Sequence, residues 1–203
     1  MKKEQDYIRD IAEIRSMMER SSKFLSLSGW AGILAGIYAL SGAYIAYQFL
    51  GFNPDTIDYS PTLSSLSFIM ILAIIILILA IGTAILLSSK KADKRGEKVW
   101  NTTSRRLLAS MAVPLVAGGI LILILLSSGL IGLIAPLTLL FYGLALYNAS
   151  KFTYDEVRSL GIIQIILGLI STYFITYSLL FWAVGFGLFH IVYGIYMHIR
   201  YER

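Results

Sequence analysis

Long runs of apolar residues alternate with short polar stretches along this chain, and the alternation is regular. Residues 25–50, 64–88, 107–127, 129–148, 159–177 and 179–199 contain no Asp, Glu, Lys or Arg. Each run is close to the roughly 20 residues that a helix needs to cross a bilayer's hydrocarbon core. The pattern predicts an all-α, polytopic membrane protein with six transmembrane helices in one domain, residues 25–203. Two of the breaks follow from length alone. The uncharged stretch between Arg106 and Lys151 is 44 residues long. At about 1.5 Å per residue, one helix of that length would be over twice the bilayer thickness, so the chain must turn back. Ser127-Ser128-Gly129 is the best turn candidate there. The stretch 159–199 demands the same, and its turn is expected near Tyr177-Ser178, where no Gly or Pro marks it.

Residues 1–24 carry a different pattern. Tyr7, Ile11, Ile14 and Met18 repeat at 4-3-4 spacing among charged residues, which predicts an amphipathic cytoplasmic or interfacial helix running on toward the first span. The arm is charged throughout and longer than the leading segment of a secretory signal, so the first apolar run is expected to stay as an anchor.

Charge then fixes the orientation. All 17 Lys and Arg residues fall in four stretches: the arm 1–24, the loop 89–106, the short connection 148–158 and the last residues. The alternate connections have none, and the loop 51–63 carries only Asp55 and Asp58. Basic residues stay on the cytoplasmic side, so both termini are expected inside. Lys90, Lys91, Lys94, Arg95, Lys98, Arg105 and Arg106 are candidates for contact with lipid head groups. The formal charge of +5 is thereby assigned to membrane lipid rather than nucleic acid. Composition agrees: 57% of residues are hydrophobic and 14% charged, against roughly 25% charged in soluble chains. Mean hydropathy is +0.74. The chain has no cysteine, which removes thiolate metal sites and cysteine catalysis.

Small residues point to helix packing. Ser28, Gly32 and Gly36 recur every fourth residue in the first span, a spacing that lets backbones approach closely in lipid. Gly161, Gln164, Gly168 and Ser171 form a similar stripe on the fifth span, and Ala183, Gly187, His190 and Gly194 on the sixth. The two stripes are expected to face each other, with Gln164 near His190 or Tyr193. Pro114 and Pro136 are expected to kink the third and fourth spans. Aromatic residues, Tyr142 and Tyr193 among them, are placed in two interfacial belts.

His190 is the one deep ionisable residue, and such residues are usually functional. His190, Gln164 and Tyr193 are therefore the candidate ligand-binding residues. His198 lies about 12 Å further along the same helix, so the two histidines cannot clamp one haem. No cofactor, metal site or catalytic set is expected, and the chain is read as non-enzymatic.

The string Arg15-Ser-Met-Met-Glu-Arg-Ser-Ser-Lys-Phe-Leu-Ser-Leu-Ser-Gly29, with Ala35-Gly-Ile-Tyr-Ala-Leu-Ser-Gly-Ala-Tyr44, resembles a family of small, uncharacterised polytopic bacterial inner-membrane proteins. The resemblance covers the first quarter of the chain. It implies the bacterial cytoplasmic membrane and no particular activity. The chain is read as a scaffold or regulatory component that binds a partner membrane protein or a second copy, with a transporter or channel for a small neutral or hydrophobic solute as the alternative. The first would use the face of Ser28, Gly32 and Gly36 as its oligomer interface.

Overall fold

A computed structural model describes residues 23–94, 96 and 99–202. Residues 1–22, Arg95 and Lys98 lie outside the described residues, and with them the expected amphipathic helix and two head-group candidates. Among the described residues, six helices are long and apolar enough to cross a membrane.

The first, α1, is Gly29–Gln48. It is followed by α2, Leu63–Lys94, and α3, Thr102–Ser127. The fourth, α4, is Ile134–Ala149, with a 3-10 turn at either end, and α5 is Glu156–Tyr173. The sixth, α6, spans Ile175–Tyr201. It opens with a 3-10 turn and runs as α-helix over Ser178–Trp182. It then widens to a π-helix at Ala183–Phe189 and returns to α-helix at His190–Tyr201.

Local chemistry sets several of these ends. Asn101 accepts the Ser104 backbone N–H (2.8 Å), and the Ser104 hydroxyl accepts the Asn101 N–H (2.9 Å). This reciprocal cap starts α3 five residues before the expected boundary at 107. Ser128 closes α3, and Gly129 reverses the chain at φ +75°, a conformation glycine adopts without steric cost. Pro136 falls in the first turn of α4, where its missing N–H costs no helical hydrogen bond. Pro114 does lie inside α3. The α5–α6 break falls at Phe174, a few residues before the expected Tyr177-Ser178.

The helices do not surround a common axis. α4 and α5 form the tightest pair, α6 packs on them, and α1 packs on α6. α2 leans on α1 at one side of this row and α3 on α4 at the other. At one end of the row, α1, α2, the α4–α5 connection and the end of α6 converge. Every described Lys and Arg lies at this basic end. At the opposite, acidic end, the loop carrying Asp55 and Asp58 folds over the α3–α4 connection. The Gly132 N–H donates to the Ile57 carbonyl (3.1 Å), and the Thr176 hydroxyl donates to the Asp55 carbonyl (3.4 Å).

Residues 24–28 have no regular secondary structure, so no helix continues from them into α1. The reason is competition for their backbone groups. The Phe24 N–H donates to the Phe152 carbonyl (2.7 Å), and Thr153 Oγ1 donates to the Phe24 carbonyl (2.7 Å). The Tyr154 hydroxyl donates to the Leu25 carbonyl (2.5 Å), and Lys91 Nζ to the Leu27 carbonyl (2.6 Å). The segment is strapped across the basic end by partners from two other helices' ends.

Candidate functional site

Glycines decide which helices meet, and they do not meet as the two stripes suggested. The glycines of α5 face α4. A Cβ on Gly161 would lie 2.8 Å from the Tyr147 nitrogen, and one on Gly168 would lie 2.8 Å from the Leu140 nitrogen. The glycines of α6 face α1: a Cβ on Gly187 would meet the Leu40 side chain, and one on Gly194 the Gly29 carbonyl. The small-residue face of α1 is the other half of that seam. Gly32 lies against Gly194, and Gly36 against the Gly187 carbonyl and Ile191. This face is packed inside the chain rather than left as an interface for a second copy.

Gln164 and His190 nevertheless come together, through a glycine outside both stripes. Gly185 sits in the π-helical stretch of α6, a geometry rare in helices and frequent at functional positions. Its missing side chain lets Gln164 close on its backbone; a Cβ there would stand 2.6 Å from Gln164 Oε1. Gln164 Nε2 donates to the Gly185 carbonyl at 2.7 Å. His190 Nδ1 lies 3.0 Å from the same oxygen. A carbonyl only accepts, so Nδ1 carries a proton. In the neutral ring Nε2 is then an acceptor, and the Tyr142 hydroxyl donates to it across 3.0 Å. Gln164 is fully buried and His190 is 6% exposed.

No family model, no characterised protein and no solved structure matches this chain. What the site can do therefore rests on its geometry.

One acceptor in this node is left over. Gln164 Oε1 is buried and has no hydrogen-bond partner. Leu139 and Leu167 close over the same place beside Gly185. An acceptor held this way costs about 1–3 kcal/mol until a donor reaches it. Around the polar centre lies an aromatic wall. Phe186 stacks on His190 (5.8 Å between ring centres) and packs on Tyr142 and Trp182 (5.0 Å each). The node offers an unfilled acceptor, a neutral imidazole and aromatic faces. No Asp, Glu, Lys or Arg lies on α6 between Ile175 and Ile199. Such a lining suits a neutral guest with an N–H or O–H and disfavours an ion.

Of the two neighbours expected for Gln164, His190 is the one that meets it, and Tyr193 lies one turn further along α6. It packs with Met111 and Tyr142 against the apolar cluster of Leu146, Val157, Leu160 and Met197. Tyr142, expected in an aromatic belt, gives its hydroxyl to the node. Gly185 lies outside both small-residue stripes. The signal that could have found them was a bare backbone five residues before the span's only deep polar side chain, on the face that Trp182, Phe186 and His190 share at four-residue spacing.

The head-group candidates divide. Lys90, Lys94, Arg105 and Arg106 are exposed at the basic end. Lys91 is not available to lipid. Its ammonium pairs with Glu202 at 3.0 Å, donates to the Leu27 carbonyl and lies over the Tyr154 ring.

Proposed function

We propose that this chain is a non-enzymatic, multi-pass protein of the bacterial cytoplasmic membrane that binds a small neutral solute and conducts it through the α4–α5–α6 core. Its basic end faces the cytoplasm, because moving ammonium and guanidinium groups across lipid is strongly unfavourable. One observation carries the solute reading: the unpartnered Gln164 Oε1 at the centre of a buried polar node. A structural polar contact in lipid is expected to be satisfied within itself. This one keeps an acceptor in reserve, and the surrounding aromatic rings favour a guest without charge.

Proteoliposomes test this by light scattering with urea and glycerol as probe solutes. Permeation above protein-free vesicles, lost in Gln164→Leu, is the expected result. Permeation equal to empty vesicles for both solutes, or unchanged in Gln164→Leu, overturns the reading.

A second reading, a partner-binding scaffold, draws on α2. This helix packs mainly on α1, and none of its most apolar stretch is buried. Since the natural chain has no cysteine, Ile78→Cys gives a single reporter on that face. Disulfide-linked copies in native membranes would support the scaffold. Monomer only, at full labelling by a lipophilic maleimide, would leave α2 to lipid.

A further inference from the structure

Three buried side-chain atoms lack a hydrogen-bond partner among the described residues: Gln164 Oε1, Ser171 Oγ and Ser178 Oγ. All three sit on the α5–α6 hairpin. Ser171 and Ser178 are both fully buried. Ser171 lies three residues before the break at Phe174, and Ser178 is the first residue of the α-helical stretch after it. They are therefore at nearly the same depth on two adjacent arms, roughly 10 Å from Gln164 toward the acidic end at 1.5 Å per residue.

Their hydroxyls behave unlike seven others in the bundle. Ser67, Thr83, Ser110, Ser127, Thr138, Ser150 and Thr172 each donate to a carbonyl three or four residues back in their own helix. That is the ordinary way for a helical hydroxyl to be satisfied in an apolar medium. Thr172 does so immediately beside Ser171. Ser171 and Ser178 instead make no such bond, and their hydroxyls have no partner among the described residues. Two unpaired hydroxyls at one depth cost several times what a single back-bonded one does, unless a third molecule joins them.

We propose that Ser171 and Ser178 hold one small neutral guest between α5 and α6, a molecule able both to donate and to accept, such as water or a short alcohol. It forms the station on the acidic side of the path to Gln164. This rests on the reading of the α4–α5–α6 core as a solute site and names a second position in it. A hydroxyl can do both jobs, whereas Gln164 Oε1 only accepts. The guest therefore needs an O–H or N–H at either station and a lone pair at the serines.

Thermal unfolding of the full chain in detergent separates an empty pair of hydroxyls from an occupied one. If a guest bridges them, Ser171→Ala and Ser178→Ala each lower the apparent Tm by about 2–4 °C. The double variant then falls no further than the larger single effect, because both changes remove the same guest. An unchanged or raised Tm in the single variants, or losses that add in the double, overturns the proposal.

Thiol labelling gives a second readout, since each introduced cysteine is the chain's sole thiol. A small hydrophilic reagent needs a hydrated thiolate, so Ser178→Cys should react about tenfold faster than Leu180→Cys, which faces lipid. Equal rates overturn the site. Occupied serines with unchanged urea and glycerol permeation would keep this site as a hydration position and discard the conduction reading. The reverse pattern would do the opposite.

Discussion

α2 and α5 are both long and apolar enough to cross a membrane, and they are built on opposite chemistry. α2 contains the most apolar window of the six, and none of it is buried in the protein. α5 has the least apolar window, yet 33% of that window is buried. In water the order would be reversed, because burial of apolar surface drives folding there. In lipid, side chains such as those of Ile74 to Leu79 gain nothing from leaving the hydrocarbon. Helices associate where small residues let backbones touch and where polar groups find one another. Gly161, Gln164 and Gly168 do this for α5. α2 offers mainly Ile and Leu, with Gly42 of α1 receiving Ile76 as a local fit. The greasiest segment is thus the least informative about the interior, and the small and polar stripes mark the core.

The sharpest test of this contrast is a methyl group in the α1–α6 seam. A Cβ at Gly194 would lie 2.5 Å from the Gly29 carbonyl oxygen and 2.6 Å from the Ile33 nitrogen. Both are backbone atoms, so the helices themselves must separate. Overpacking of this kind costs about 1–3 kcal/mol. Gly194→Ala should lower the apparent Tm by about 5 °C or more, taking about 2–4 °C per kcal/mol for a chain of this size. Differential scanning fluorimetry in detergent reads the shift. A Tm within one degree of the parent would show that the seam is not tightly packed.

Much of this was legible in the sequence, and the reason is electrostatic. Charges are so costly in lipid that their positions mark the helix ends, and Gly129 and the Asn101 cap refine them. The stripes marked the right helices as core. What they could not reveal was the partner of each stripe, because a glycine's face is compatible with any neighbouring backbone. The α5 and α6 stripes each chose a different neighbour, α4 and α1. The π-helical stretch was equally hidden: it shifts the register of Gly185 against His190, and a 3.6-residue period assigns the wrong face. Tyr142 looked like an interfacial aromatic because its partner, His190, lies 48 residues away.

The second test concerns how the ends are tied together at the basic end. The Ser28 side chain does not cap α1; Glu202 does so from the far end of the chain, accepting the Gly29 N–H at 2.9 Å. The same carboxylate pairs with Lys91 (3.0 Å) and with His198 Nδ1 (2.7 Å). Burial alone would favour the neutral acid. The hydrogen bonds from His198, Gly29 and Lys91 outweigh it and hold the Glu202 carboxyl down at about 2, against an ordinary value of 4.5. A folded-state value below the unfolded one stabilises the fold at pH above about 4.5. That contribution is lost as pH falls from there toward 2. Unfolding followed between pH 6 and pH 2.5 should show Tm declining through this window, and Glu202→Gln should be less stable at pH 6 with a flatter decline. Parallel curves for the two proteins would mean that the tie contributes nothing.

The smallest effect carries the opposite sign, which makes it the cleanest control. Gly82 lies in the middle of α2, and nothing stands within 4 Å of where its Cβ would be. The residue therefore serves no close approach. Mid-helix glycine is less stable than alanine by roughly 0.5–1 kcal/mol, because it gives up more backbone freedom on folding. Gly82→Ala should leave Tm unchanged or raise it by a degree or two, under the same conditions in which Gly194→Ala lowers it. One substitution then yields opposite outcomes at two glycines, separated only by whether a neighbouring backbone fills the space. If Gly82→Ala instead destabilises, α2 must have a packing partner at that level, either another copy or another membrane protein. The apolar helix would then belong to an interface rather than to the lipid boundary.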